Sequence, residues 1–197
     1  DDDHEFEFTS SFTPTFWLSD TGGTASVKFD GLGRGRYVIT EGAEADWTLD
    51  AIECSGDVST TVDVTGRTAT VDLGLDQDVT CVFTNTKQGT VVVEKVAVGG
   101  DDTFDYSGSG DGVDESFTVT TSGGSGSKTF SGLDAATYTV TEETLPTGWE
   151  FSELVCEDPD GESTVDGRTG TIDLDAGEVV TCVFTNTKQG TVVVEKV

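Results

Sequence analysis

The sequence predicts an all-β protein made of two tandem β-sandwich modules, the first lacking its opening strand. Three observations carry this. The chain of 197 residues holds 25 Gly and no Met, is rich in Thr, Val and Asp, and has no segment of convincing 3.6-residue periodicity. Such a composition suits short strands and turns better than helices. The stretch VTCVFTNTKQGTVVVEKV begins at residue 79 and again, unchanged, at 180, a period of 101 residues, so one module occurs twice. Finally, apolar and polar residues alternate over short runs bounded by Gly, Asp and Ser, the pattern of half-buried strands.

The second copy shows the strands most clearly, at residues 90–96, 116–120, 128–130, 137–141, 149–156, 170–174 and 179–186. About seven short strands with turns between them read as an immunoglobulin-like sandwich. The same offset carries Phe16 onto Phe117, Gly22 and Gly23 onto Gly123 and Gly124, Phe29 onto Phe130, Tyr37 onto Tyr138 and Glu41 onto Glu142. Small slips in loops then bring Trp47 onto Trp149 and Cys54 onto Cys156.

Module one is residues 1–88, module two 89–189, and residues 190–197 repeat the opening strand of module two. The start DDDHEFEF aligns with DDTFDY of module two, so module one has no counterpart of GTVVVEKV. The spare strand, Thr191, Val192, Val193, Val194, Glu195, Lys196 and Val197, has no module behind it and leaves apolar side chains and backbone groups unpaired. In one explanation the spare strand of one copy enters the open module of the next, a head-to-tail addition that propagates because it does not close. In another, the residues are one window of a longer tandem array. A third is a boundary placed without regard to the fold.

Lys+Arg number 10 against 38 Asp+Glu, a formal net charge of -28. Phosphate backbones and anionic lipid heads repel such a polyanion, which argues against nucleic-acid and membrane-surface partners. No apolar run approaches bilayer length, and no charged-then-apolar signal segment opens the chain at Asp1, so any secretion signal is expected to be gone already. The four cysteines fall into equivalent pairs, Cys54 with Cys81 and Cys156 with Cys182, one pair per module. They read as disulfides, which persist outside the cytoplasm. Zinc is disfavoured: each module offers two thiolates without Cys-x-x-Cys spacing, and His4 is the only histidine.

Taken together, VVVEK with Lys95, YTVTEETLPTGW with Glu142 and CVFTNTK with Asn186 resemble the Cna B-type, SpaA-like (prealbumin-like) domains of bacterial or archaeal surface adhesins and pilins. The resemblance covers essentially all of module two, and module one except its absent strand. It implies that a Lys of the opening strand can join an Asn or Asp of the last strand through an amide, helped by the Glu of Y-x-x-x-E-x-x-x-P, and with an Asn ammonia is released. Here the trio is Lys95, Glu142 and Asn186, and Trp149 stands where the family usually has Tyr.

Strand alternation is consistent with this trio, since successive side chains point to opposite faces. Lys95 shares a face with Val91 and Val93, Glu142 with Tyr138 and Val140, and Asn186 with Cys182 and Phe184. Buried ammonium and carboxylate groups must be paired or neutralised, and an amide removes the amine charge. The competing reading is that Asn186 caps a strand end while Lys95 and Glu142 form an ordinary ion pair near a sheet edge. Module one has Glu41 and Asn85 but no matching lysine: Lys28 lies between Val27 and Phe29, and Lys87 is expected beyond the last strand. The matching amine is Lys196 of a neighbour, which would make Lys196, Glu41 and Asn85 an intersubunit trio.

Other chemistry is thin. LPTG at residues 145–148 reads as a turn, because it lacks the residue a sortase signal has between Pro and Thr. Asp158, Asp160 and Gly161 suggest a calcium loop with its third acidic position and closing Glu missing, and Asp1, Asp2 and Asp3 read as a solvated acidic surface. No Asn-x-Ser/Thr site is present. No cofactor, resident metal or turnover site is expected, and the amide trio acts once, on itself. The sequence therefore reads as a structural subunit or repeat of an extracellular filament, pilus or surface stalk that forms a head-to-tail homopolymer. The alternative is a ligand-binding adhesin repeat, for which residues 12–17 of module one are the main departure from the repeat.

Overall fold

The computed structural model describes residues 4–20, 22–56 and 59–197, and Asp1, Asp2 and Asp3 lie outside them. The chain divides between Thr86 and Lys87 into two compact units. Among the described residues none is helical, and no helix is long and apolar enough to cross a membrane.

Unit 1 contains β1 (His4–Ser10), β2 (Phe16–Asp20), β3 (Gly35–Glu41), β4 (Trp47–Gly56), β5 (Ser59–Asp63), β6 (Thr68–Leu73) and β7 (Val79–Lys87). Five strands form one sheet in the order β2-β1-β3-β6-β5, and β4 pairs with β7 in a second sheet of only two strands. Lys87, expected beyond the last strand, is the final residue of β7, which passes the division by that one residue.

Unit 2 contains β8 (Gly89–Val98), β9 (Thr103–Ser109), β10 (Ser116–Thr120), β11 (Ser125–Leu133), β12 (Ala136–Glu142), β13 (Trp149–Glu157), β14 (Thr164–Asp166), β15 (Thr169–Leu174) and β16 (Val179–Lys188). Its five-stranded sheet, β10-β9-β12-β15-β14, matches that of unit 1 strand for strand. Its second sheet has four strands, β11-β8-β16-β13, because β8 runs parallel to β16 and antiparallel to β11. Strands β9 and β14 were not expected from the sequence. β9 has only Phe104 and Tyr106 as buried apolar positions, and β14 is exposed throughout.

Among the described residues, unit 1 has no strand in the place that β8 takes in unit 2, and the contrast between the units follows from that. β11 pairs along its length with β8 alone. Its equivalent in unit 1, residues 24–32, forms no strand, although Val27 and Phe29 keep the apolar alternation. A strand needs a partner for its backbone groups, and the described residues of unit 1 offer none here. The core follows suit. In unit 2 Phe130, Tyr138 and Phe184 are buried, whereas Phe29, Tyr37 and Phe83 are only half-buried. The aromatic ladder nevertheless recurs: Phe8 stacks on Phe16 at 5.3 Å, as Tyr106 does on Phe117 at 5.2 Å. Phe6 meets Trp47 edge-on as Phe104 meets Trp149.

Each unit has one disulfide, Cys54–Cys81 and Cys156–Cys182. The second joins directly opposed residues of β13 and β16. Closing a loop with a sequence separation of 26 restricts the unfolded chain by about 3.5 kcal/mol in the entropy model. Replacing Cys156 and Cys182 together by Ala is expected to lower unit 2 stability by about that amount in urea denaturation. An unchanged midpoint would show that the sheet is held without the bond.

Candidate functional site

In unit 2 the inward face of β8 runs Val91, Val93, Lys95, Ala97, so the strand alternation that builds the core also buries an amine. Lys95 is 0% exposed, a costly place for an ammonium without partners. Its Nζ lies 2.9 Å from Glu142 Oε1, donates to the Phe184 carbonyl at 3.2 Å and sits 4.5 Å from the centre of the Phe104 ring. Glu142 reaches it from β12, across the sandwich. From β16, next to β8, Asn186 Nδ2 donates to the same Glu142 Oε1 at 2.7 Å. All three groups are buried, so the ion pair is not at a sheet edge and Asn186 does not cap toward solvent.

Opposing electrostatic effects meet at Lys95. Burial pushes the Lys95 pKa down, and the hydrogen bond and charge of Glu142 oppose that shift. The buried Tyr106 hydroxyl is pushed up by burial and then by the Glu142 charge. Glu142 Oε2 and Asn186 Oδ1 have no hydrogen-bond partner among the described residues. An amine, a carboxamide and a carboxyl group within reach of both are the three parts of an amide exchange.

Unit 1 repeats the arrangement without the amine. Asn85 Nδ2 donates to Glu41 Oε1 at 2.7 Å, and Arg67 Nη2 lies 2.7 Å from Glu41 Oε2. Lys28 is exposed and pairs with Asp30 at 2.7 Å. Where β8 would lie, unit 1 has a cleft of about 830 Å³, lined by Phe8, Phe16, Phe29, Tyr37 and Phe83, with Glu41 and Asn85 also on its wall. Phe12, from the stretch that departs from the repeat, packs inward on Phe29 and Tyr37 at 4.9 and 5.6 Å. Trp17 is 51% exposed.

Residues 190–197 form no strand, and Val192 and Val194 are 88% and 90% exposed. The 145–148 stretch is a turn closed by Trp149 N–H donating to the Pro146 carbonyl. Asp158 accepts backbone N–H groups from Asp160, Gly161 and Ser163, and the Ser163 hydroxyl contributes most to lowering its pKa. Glu178, distant in sequence, supplies a third carboxylate within 4.8 Å of Asp158 and Asp160. Sequence reasoning missed Arg67, whose signal is a turn two residues longer than the one before β15.

Burial raises the Glu41 pKa above its ordinary 4.5, against lowering by Asn85 and Arg67. The native state thus holds this proton more tightly than the unfolded chain. The stability it contributes is complete below the unfolded value and is lost as pH rises through the folded one. In dilute protein, urea denaturation of unit 1 from about pH 4 to about pH 7 is expected to shift in favour of E41Q over the parent as pH rises. A pH-independent difference would refute this.

A family described as a prealbumin-like fold domain matches residues 1–87 and 91–188. No curated protein matches the chain. Among solved structures, the chain is similar to the major pilin of Streptococcus pyogenes, at 15% identity over 95% of this chain and 92% of that one, with a TM-score of 0.40. It is also similar to a C-terminal fragment of the pilus adhesin SpaC of Lactobacillus rhamnosus GG, at 16% identity over 96% and 90%, TM-score 0.36. The minor pilin GBS52 of Streptococcus agalactiae gives 13% identity over 98% and 86%, TM-score 0.36.

Proposed function

The chain belongs to the prealbumin-like fold family, and we propose that it is a structural subunit of an extracellular filament, pilus or surface stalk assembled by strand complementation. Residues 190–197 of one copy fill the cleft of unit 1 in the next. The observation that carries this reading is the pairing of an open apolar cleft with an exposed segment identical to residues 89–96, the strand that fills the same place in unit 2.

Unit 2 supplies the register. There Val91 lies beside Val180 and Phe130, and Lys95 beside Phe184 and Gly126. Moved by the repeat, Val192 lies beside Val79 and Phe29, Val194 beside Cys81 and Val27, and Lys196 beside Phe83 and Ala25. Val192, Val194 and Lys196 then point inward. Burying each valine contributes about 1.5 kcal/mol or more, and residues 24–32 gain a partner and become an edge strand. Lys196 arrives next to Glu41 and Asn85. The contact is heterologous and does not close, so copies add head to tail. The same docking serves within one polypeptide wherever this strand precedes a module, as residues 89–96 precede the rest of unit 2.

In unit 2, Lys95 Nζ attacks Asn186 Cγ after passing a proton to Glu142. The Nζ–Cγ bond forms, Cγ–Nδ2 breaks, a second Nζ proton leaves with Nδ2 as ammonia, and the proton on Glu142 follows to give ammonium. The buried trio supports this reading, as do the lowered Lys95 pKa and the unpartnered Glu142 Oε2. One disulfide in each unit supports an extracellular location. A second reading, recognition of a surface ligand, is favoured by Trp17, exposed on β2 where unit 2 has Thr118.

Light scattering of the 197-residue chain is expected to show assemblies that grow with concentration, and the V192D/V194D double variant is expected to stay monomeric. A parent chain that stays monomeric, or a double variant that assembles equally, would refute strand docking. The intact mass of the reduced protein is expected to fall short of the sequence mass by one ammonia, and K95A is expected to run at its full mass. A parent chain at full mass would rule out the unit 2 amide.

A further inference from the structure

Arg67 and Arg168 hold the same repeat position but do different things. Between β14 and β15 the turn is Gly167 and Arg168, and Arg168 Nη1 donates to the backbone oxygen of Glu143, away from the Glu142 carboxylate. Between β5 and β6 the turn is longer by Val64 and Thr65. It is fastened by Gly66 N–H donating to Asp63 Oδ1 at 2.9 Å and Arg67 N–H to the Val64 carbonyl at 3.0 Å. Arg67 takes a φ of +53°, a left-handed conformation that a side-chain-bearing residue adopts at a cost. The result is that its guanidinium meets Glu41 Oε2 with 19% of the side chain exposed.

The two carboxylates are therefore used differently. Glu142 takes both Lys95 and Asn186 on Oε1 and has no partner on Oε2. Glu41 takes Asn85 on Oε1 and Arg67 on Oε2. A lysine arriving as Lys95 does still finds Oε1 within reach, but the other oxygen is already held by a cation.

We infer that Arg67 is a positioning residue that holds Glu41 Oε2 and so slows amide formation at the seam, leaving a docked strand exchangeable while unit 2 seals without restraint. The inference rests on the strand-docking reading above. At the seam, the Lys196 ammonium must first give a proton to Glu41. Nζ then bonds to Asn85 Cγ, Cγ–Nδ2 breaks, a second Nζ proton leaves with Nδ2 as ammonia, and the Glu41 proton follows to give ammonium. A guanidinium on Oε2 stabilises the carboxylate against that first transfer. Burial raises the Glu41 pKa, and the charge and hydrogen bond of Arg67 oppose that rise.

The test compares the parent, R67Q, R67K and R67Q/K196A chains by native light scattering and by reducing, denaturing gels with intact mass. Native assembly is expected to be alike in parent, R67Q and R67K. The denaturant-resistant ladder is expected to grow about tenfold faster or more in R67Q, with one ammonia lost per junction. It is expected to stay at the parent rate in R67K, which keeps the charge, and to be absent in R67Q/K196A. The Glu41 carboxyl titration, followed by NMR, moves upward in R67Q and returns in R67K. Equal assembly with an unchanged ladder, R67K sealing as fast as R67Q, or an unmoved titration overturns this inference alone. Failure of every chain to assemble overturns strand docking and this inference with it.

Discussion

The parallel pairing of an opening strand with the last strand is the contact on which the rest of each module depends. In unit 2, β8 satisfies the backbone of β16 on one side and β11 on the other, places Val91 and Val93 in the core and brings Lys95 to Glu142. Among the described residues of unit 1 no such strand is present, and three features differ from unit 2. Residues 24–32 form no strand, the aromatic ladder lines an open cleft, and Glu41 takes a turn arginine as its cation. The first two trace to one unfilled position between two sheets, and the third to the longer turn before β6.

Much of this was legible in the sequence because it depends on local pattern. The repeat aligned the modules, alternation located most strands of unit 2, and the same alternation put Lys95, Glu142 and Asn186 on inward faces, where they are buried. β9 was not legible because its inward alternation rests on Phe104 and Tyr106 alone before Ser107 and Gly108. β14 has no buried side chain to mark it. Residues 24–32 mislead in the opposite sense: a strand-like pattern stays irregular when its pairing partner is absent, a tertiary condition that local sequence does not encode. Arg67 looks like an ordinary turn residue, and only the turn length and its left-handed backbone turn it toward Glu41.

The energetics give the two units distinct characters. Unit 2 pays for a buried amine with a carboxylate, a carbonyl and an aromatic face, and its last strand is tied to β13 by a disulfide. Unit 1 keeps its disulfide but leaves apolar rings and a buried carboxylate facing a cleft. A net charge of -28 opposes random association of copies. The proposed docking is a specific contact that would remove apolar surface from water and bring a second cation to Glu41. The 190–197 segment carries both, in its valines and in Lys196.

The most direct measurement is amide hydrogen exchange of the chain in dilute and in concentrated solution, read at residues 24–32 and 190–197. Strand docking predicts that both segments exchange freely when dilute and become protected together on concentration, since each supplies the other's backbone partners. Assembly that leaves either segment unprotected would contradict the account, because the copies would then be joined by some other surface.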